Sequence, residues 1–318
     1  MSSRIGDESA RARAESLDPV VAAGGDVEWG MDGGWGEGGR WKPAVRRFRR
    51  HTPAMVGLGF LVFMVFACFV LVELAPSPTD LDLARPTSGP SWSHWFGTDN
   101  LGRDMLSRCL YGAQISVIIA FTTATLATIV SVAVGILTGY LGGKFDLIVQ
   151  RFVDAWMSFP DLIILLVVVS VLGPGIPQII FTLGCLLGIA GSRIIRSAVV
   201  SVRENMYVHA AQSIGASTGR ILWRHILPNI MPPIIVLFTT RVGFVILAES
   251  GLSFLGLGVP PPTPTWGGML SGSGRTFMFQ GPWLALAPGL CLTIVVYATN
   301  VFGDALRDLL DPRMRGSR

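Results

Sequence analysis

Hydrophobic residues are gathered into six long runs along this chain, with short polar segments between them. A run of about 20 mostly apolar residues is long enough to cross a bilayer as an α-helix. The pattern therefore predicts an all-α polytopic membrane protein with six transmembrane helices. The predicted spans are residues 53–75, 115–141, 152–172, 177–195, 230–250 and 283–302.

Two of these runs carry features that predict their shape. Gly135 and Gly139 in the second run lie four residues apart, a spacing that lets a neighbouring helix approach closely. The third run is interrupted by Asp154, Pro160 and Asp161. Because proline lacks a backbone N–H and bends a helix, we expect a kinked helix that is partly buried in the bundle.

Composition narrows the class of protein. Half of the residues are hydrophobic and 14% are charged, and the mean hydropathy of +0.54 disfavours a soluble enzyme core. The four cysteines and four histidines lack metal-ligand spacing, and no nucleotide-binding or catalytic signature is present. We therefore expect no catalysis, metal or cofactor in this chain itself. The net charge is +4, but the basic residues lie beside the apolar runs and do not form one basic stripe, which disfavours a nucleic acid partner.

Lysine and arginine residues predict the orientation of the spans. Sixteen of them flank the runs on one side, whereas the loops on the other side hold four. Because cytoplasmic loops are enriched in positive residues, both termini are predicted to be cytoplasmic. Residues 1–40 are rich in glycine and charged residues and predict a disordered cytoplasmic tail, which leaves 41–318 as the membrane domain.

A polar segment at residues 199–229 separates the fourth and fifth runs on the predicted cytoplasmic side. Helical spacing in this segment predicts a short first helix with one apolar face. Small residues on that face would let another surface approach closely. The four residues of the predicted face are Tyr207, Ala210, Ala211 and Ile214.

The same segment predicts a helical hairpin over residues 207–229. Gly215 predicts the turn after the first helix, because glycine adopts positive φ without strain. Ser217 or Thr218 can cap a second short helix, and Pro228 would end it. An amphipathic hairpin lying on lipid headgroups is the alternative. The modest basic content of the segment favours a protein partner instead.

Several motifs in the chain match a known family. The hairpin carries Ala210-Ala211, Gly215 four residues later, and the closing sequence His225-Ile226-Leu227-Pro228-Asn229. This pattern resembles the EAA loop of ABC importer permeases, whose coupling helix docks on a cytoplasmic ATPase subunit. Further motifs, in matching order, are similar to the C-type permease subunit of dipeptide and oligopeptide importers. They occupy residues 96–104, 139–143, 252–258 and 303–308.

The resemblance implies a type I ABC importer permease fold in the bacterial cytoplasmic membrane. It implies three kinds of partner besides membrane lipid: a second, B-type permease subunit, two ATPase subunits that use ATP and Mg²⁺, and an external peptide-binding protein. His209 stands where the family usually has glutamate, so it would offer a neutral or partly protonated group at that contact. The residues expected to couple the chain to the ATPase are Tyr207, His209, Ala210, Ala211, Ile214, Gly215, Ser217 and Pro228.

Two charged residues, Arg241 and Glu249, fall within the fifth run, where an unpaired charge is costly. Eight residues of helix separate them by about 12 Å along the axis, so they are not expected to pair with each other. Either residue could line a translocation path or serve as a packed structural charge. An ion-coupled secondary transporter could use these residues or Asp154 as coupling groups, although no internal repeat supports that reading.

Other readings stay open on the sequence alone. Related permeases carry nickel or other small solutes, and a non-transporting membrane scaffold would also explain the hydropathy. On the predicted outer side, residues 92–107 predict a short helix capped by Asp99 or Asn100. Residues 259–266 are rich in proline and predict a rigid outer connection.

Overall fold

The computed structural model describes residues 52–310, and this part of the chain folds into helices without a β-strand. The predicted tail at residues 1–40 lies outside the described residues. Short 3₁₀ segments (Leu71–Leu74, Leu227–Asn229) and π-helical segments (Leu222–Ile226, Leu270–Gly274) join some of the α-helices. The α-helices are α1 (Thr52–Phe69), α2 (Met105–Leu141), α3 (Gly143–Met157), α4 (Asp161–Leu172), α5 (Ile176–Arg203), α6 (Met206–Ser213), α7 (Thr218–Ile221), α8 (Met231–Phe254), α9 (Trp266–Met269), α10 (Arg275–Phe277) and α11 (Trp283–Leu310).

Five helices in the described part of the chain are long and apolar enough to cross a membrane: α1, α2, α5, α8 and α11. The pair α3 and α4 makes a sixth candidate if the two helices are counted as one broken span. The prediction of an all-α membrane protein is therefore confirmed, and the six predicted spans are matched when α3 and α4 are counted as one.

The third span differs from the expected kinked helix. It consists of two helices that meet at an angle of 81°, and the first of them begins at Gly143 rather than near residue 152. Pro160 precedes α4, where it cannot donate a backbone hydrogen bond and where it disfavours helical geometry at Phe159. The helix therefore breaks here. Leu165 and Val169 of α4 are buried, so part of this pair does pack into the bundle.

Several helices extend beyond the predicted spans, because hydropathy does not detect their polar ends. Helix α2 begins at Met105 rather than 115, and α5 continues to Arg203 rather than 195. The cap of α2 is Asp104, whose side chain accepts a 2.8 Å hydrogen bond from the backbone N–H of Ser107. The expected short helix capped by Asp99 or Asn100 is therefore wrong. Helix α1 is shorter than predicted and ends at Phe69.

Helices α2 and α5 form the most extensive helix pair in the bundle. A Cβ atom on Gly135 would lie 2.7 Å from Ile195 Cβ, and one on Gly139 would lie 2.8 Å from Val199 Cβ. The predicted close packing at these two glycines is confirmed. Helix α5 contributes a glycine in return, because a Cβ on Gly188 would lie 2.6 Å from Val130 Cβ.

The bundle has two ends that the chain topology distinguishes. The hairpin end holds the C-terminus of α5, the connection to α8 and the end of α2. The opposite end holds the start of α2, the end of α8 and the segments that surround α9 and α10. A large apolar cluster fills the middle, and a smaller one lies toward each end.

Candidate coupling site

The segment between α5 and α8 folds as the predicted helix, turn and second helix. Helix α6 ends at a turn in which Gly215 has a φ of +79°. The N–H of Gly215 donates to the Gln212 carbonyl at 2.9 Å, and the N–H of Ala216 donates to the Ala211 carbonyl at 3.0 Å. These two bonds close the helix end in a Schellman arrangement. Nothing lies within 4 Å of a Cβ built on Gly215, so backbone conformation rather than space requires glycine.

The hairpin, defined here as residues 206–229, has an apolar core of its own. Val208 and Ala211 of α6 are buried against Ile221, Ile226 and Ile230. The predicted single apolar face is therefore wrong in part. Ala211 faces this core, but the other three residues of the predicted face do not, because the helix buries Val208 instead.

Large apolar side chains remain on the outside of the hairpin. Met206 is 88% exposed, Ile214 is 85% exposed and Trp223 is 74% exposed. Met206, Ala210 and Ile214 follow one another at four-residue intervals along α6, which places them on one side of that helix. The hairpin therefore presents apolar surface that its own fold leaves uncovered.

Polar contacts hold the residues that lead into the hairpin against the ends of the long helices. Arg203, at the end of α5, donates from Nη1 to the Tyr140 carbonyl at the end of α2 at 2.9 Å. Asn205 donates to the carbonyls of Ser201 and Val202 at 3.2 and 3.0 Å. The segment from which the hairpin starts is therefore held to the ends of both α2 and α5.

Two of the predicted coupling residues have different local roles from those expected. Ser217 occupies the position before α7, and its carbonyl accepts from the Ile221 N–H at 3.0 Å, but its side chain makes no capping hydrogen bond. Pro228 does not end the helical path, because it lies within a 3₁₀ turn and α8 begins shortly afterwards at Met231. Both Ser217 and Pro228 are exposed.

The aromatic groups of the hairpin lie near its edge. His209 is exposed, and its Nε2 lies 4.0 Å from Oε2 of Glu204. The ring of Tyr207 lies 6.3 Å from the ring of His225, centroid to centroid. Partial burial in this contact raises the pKa of the Tyr207 phenol. Glu204 therefore brings a carboxylate next to His209, and the sequence alone did not indicate this neighbour.

Arg241 is buried at the place where α2, α5 and α8 meet. Its Nη2 donates to Ser131 Oγ at 2.8 Å and to the Leu187 carbonyl at 2.5 Å. A Cβ on Gly191 would overlap this guanidinium group, so a glycine is required to admit it. Ser131 in turn donates to the Gly188 carbonyl at 2.7 Å. Arg241 thus joins three helices within the subunit.

Glu249 is also buried, but it has fewer partners. Its Oε1 accepts a 2.7 Å hydrogen bond from Ser253 Oγ, whereas Oε2 has no hydrogen-bond partner among the described residues. Arg241 and Glu249 do not form an ion pair with each other, which agrees with the prediction from their spacing. Their place on a translocation path remains a prediction. Asp154 pairs with Arg193 and Arg151.

Within residues 52–310, no group of three or more potential ligand side chains could hold a metal ion. The features that decide the class of protein are therefore the membrane-spanning bundle and the hairpin. Residues 131–316, which include the hairpin and the helices from the end of α2 to α11, match the family described as binding-protein-dependent transport system inner membrane component. The chain belongs to this family. Residues 39–90 match the N-terminal transmembrane domain of oligopeptide transport permease C.

Relatives of this inner membrane component cover most of its length. It is 37% identical to the dipeptide transport system permease protein DppC of Alkalihalophilus pseudofirmus over 86% of this chain and 90% of the relative. It is 41% identical to a protein named as a peptide permease of Brucella suis biovar 1, over 85% of this chain and 90% of the relative. The chain is thus a multi-pass protein of the bacterial inner membrane.

The fold of this inner membrane component is that of a solved ABC transporter. It matches a chain of the MetNI methionine ABC transporter, determined in inward-facing conformations, with a TM-score of 0.54 and 17% identity. The match covers 65% of this chain and 98% of that chain. At this identity the likeness supports the fold alone.

Proposed function

We propose that this chain is the permease subunit of an ATP-driven importer of dipeptides or oligopeptides. The names of the relatives support a peptide cargo, and membership in the binding-protein-dependent family favours an ABC importer over an ion-coupled secondary transporter. A nickel permease and a membrane scaffold are correspondingly disfavoured. In this proposal the chain forms half of the translocation pathway and is not itself an enzyme.

The proposed assembly contains a second permease subunit, two ATPase subunits and an external binding protein that delivers the peptide. ATP and Mg²⁺ belong to the ATPase subunits. The 206–229 hairpin then lies on the cytoplasmic side, as the lysine and arginine distribution predicts, and docks on one ATPase subunit.

The uncovered apolar surface of the hairpin carries this proposal. Val208 and Ala211 already complete the internal core, so the exposure of Met206 and Ile214 is not needed for folding. Apolar side chains grouped on one side of a folded surface mark a contact with another protein or with a membrane, and the modest basic content of the hairpin favours a protein. The hairpin joins α5 to α8, so a partner that moves it would reorient two membrane-spanning helices together.

Copurification tests the docking step. The tagged chain is purified from its native membrane, and the amount of ATPase subunit recovered with it is measured by mass spectrometry. Ile214→Ser should lower this recovery about tenfold, because a well-placed interface side chain typically contributes more than 1 kcal/mol. Gln212→Ser is the matched control, since Gln212 is an exposed polar residue on the same helix.

The outcomes separate the proposal from its rivals. Recovery of an ATPase and a second permease with the wild-type chain is expected only for an ABC permease. If Ile214→Ser and the wild type recover equal amounts of ATPase, the docking role of this surface is wrong. Peptide uptake that continues without ATP, driven by an ion gradient, would contradict the importer assignment itself.

A further inference from the structure

A cavity of about 470 Å³ lies at the end of the bundle opposite the hairpin. Its walls come from the turn before α2, the proline-rich loop after α8, and the segments around α9 and α10. This volume falls within the range typical of sites for small ligands. The cavity is distinct from the hairpin surface and from the buried Arg241.

Two arginines on one wall surround a single buried carboxylate. Asp99 has no exposed surface, and its Oδ2 accepts a 2.6 Å bond from Arg103 Nε and lies 3.6 Å from Arg108 Nε. Its Oδ1 accepts from the backbone N–H groups of Leu101 and Arg103 at 2.8 and 3.0 Å. The carboxylate is thus fully engaged, and it can balance only one of the two positive charges.

The remaining donors of the two arginines are poorly satisfied. Arg108 is 7% exposed, and its Nε lacks a hydrogen bond to any described residue. One terminal nitrogen of Arg108 donates to the Pro78 carbonyl at 3.1 Å. Among the described residues, neither the other terminal nitrogen of Arg108 nor those of Arg103 have a hydrogen-bond acceptor. A buried cation with free donors is costly unless an anion completes it.

The rest of the cavity lining is neutral. It contains hydroxyl groups and proline rings but no aspartate or glutamate. Besides Asp99, Glu249 has a described link to the lining, since it accepts from Ser253, but it does not line the cavity itself. The planar guanidinium fork matches a carboxylate in two parallel hydrogen bonds. The hydroxyls can bond to peptide groups.

We propose that this cavity binds the C-terminal carboxylate of a peptide, with Arg103 and Arg108 as the charged partners. The inference rests on the proposed peptide cargo. It assigns to the permease itself a selective contact on the side from which the peptide arrives. A carboxylate side chain of the binding protein is the rival source of the same chemistry.

Peptide binding to the purified protein tests the site. The full chain, with the subunits that accompany it, is placed in lipid nanodiscs, and saturation-transfer NMR measures the affinities of dialanine and dialanine amide. The wild type should prefer dialanine about tenfold, because the amide cannot make charge-assisted bonds to the arginines. Replacing both arginines by lysine keeps the charges beside Asp99 but removes the fork. This Arg103→Lys, Arg108→Lys variant should still prefer dialanine, because an ammonium group also makes charge-assisted bonds, but by less than the wild type, because it cannot bind the carboxylate through two parallel hydrogen bonds.

Arg275→Lys is the matched control. Arg275 lies at the same end of the bundle over the Phe254 ring, 5.7 Å from its centroid, and does not line the cavity. This variant should keep the wild-type preference. The melting temperature of each variant shows whether it is folded. If the double variant is unfolded, Arg103→Lys alone serves, and the preference should fall there as well.

Three results would overturn the inference. The first is equal binding of dialanine and its amide by the wild type. The second is an unchanged preference for dialanine in the folded arginine variants. The third is that these variants no longer attach the binding protein and show no effect on dialanine preference. The last result assigns the arginines to the binding protein. Failure of the proposed importer function has a separate signature, namely the absence of ATPase subunits from the purified complex.

Discussion

The crossing at Arg241 and the 206–229 hairpin both place unusual residues where the sequence predicted function, but they resolve them in opposite ways. At the crossing, a charge within membrane-spanning helices finds its partners inside the subunit, on Ser131 and Leu187. On the hairpin, apolar side chains such as Ile214 remain uncovered although the local core is complete. A buried charge whose hydrogen-bond partners lie in the same subunit serves the fold, whereas an apolar side chain left exposed at the surface indicates a partner.

The largest test of this contrast is Gly191→Leu. The new side chain would occupy the space of the Arg241 guanidinium and leave a buried charge without its partners. We expect a loss of about 3–5 kcal/mol in the free energy of unfolding, measured by thermal unfolding of the purified protein. Gly251→Leu in α8 is the control, because nothing lies within 4 Å of a Cβ at that position. Equal melting of the two variants would show that the crossing does not need Arg241.

A smaller loss is expected at the α2–α5 contact. Gly139→Leu would place a side chain against Val199, and overpacking of this kind costs about 1–3 kcal/mol. Thermal unfolding again provides the measurement. Gly59→Leu in α1 is the control, since a Cβ there meets nothing within 4 Å. If Gly139→Leu were as stable as this control, the close approach of the two helices would not contribute to stability.

A substitution at Gly215 should destabilise the hairpin turn without unfolding the rest of the protein. Gly215→Ala forces an alanine into a φ of +79°, which costs about 1–2 kcal/mol. Faster amide exchange at Ala216, whose N–H bonds to the Ala211 carbonyl, is the expected signal in hydrogen-exchange mass spectrometry. The chain should still insert in the membrane, but uptake should fall relative to ATP hydrolysis.

A matched variant is available within the same hairpin. Gly219→Ala adds the same methyl group where the backbone is helical and the space is open, so exchange and uptake should stay at wild-type levels. Normal uptake by Gly215→Ala would remove the role of this turn in coupling.

The smallest effect concerns the carboxylate beside His209. Glu204 lies where it can supply the acidic group that the family usually carries at position 209. Glu204→Gln should leave the melting temperature unchanged and lower ATPase recovery about two- to fivefold, as expected for an exposed charge pair. Adding His209→Glu to this variant should restore recovery. If recovery stays low, Glu204 does not replace the family's glutamate.

Sequence reasoning succeeded where the signal is periodic or local. The membrane class, the positive φ at Gly215 and the close packing at Gly135 and Gly139 all follow from short patterns. It failed at helix ends, because Arg108 near the start of α2 and Arg196 and Arg203 near the end of α5 interrupt the apolar runs from which the spans were predicted.

Contacts between distant parts of the chain could not be predicted. Val208, which is not part of the predicted apolar face, lies in the hairpin core, since the direction of a short helix is set by what packs beneath it. The fit of Gly191 to Arg241 joins α5 to α8 and depends on how these two helices pack.

Helix α2 runs without a break from one of the two proposed binding regions to the other. Arg108 in its first turn lines the cavity, and Tyr140 near its last residue holds Arg203 at the base of the hairpin. Its 37 residues span about 55 Å. A rigid rod of that length that tilts by about 5° about one end moves its other end by about 5 Å. A tilt of α2 that is caused by docking at one face of the membrane would therefore displace the other end of the helix at the opposite face.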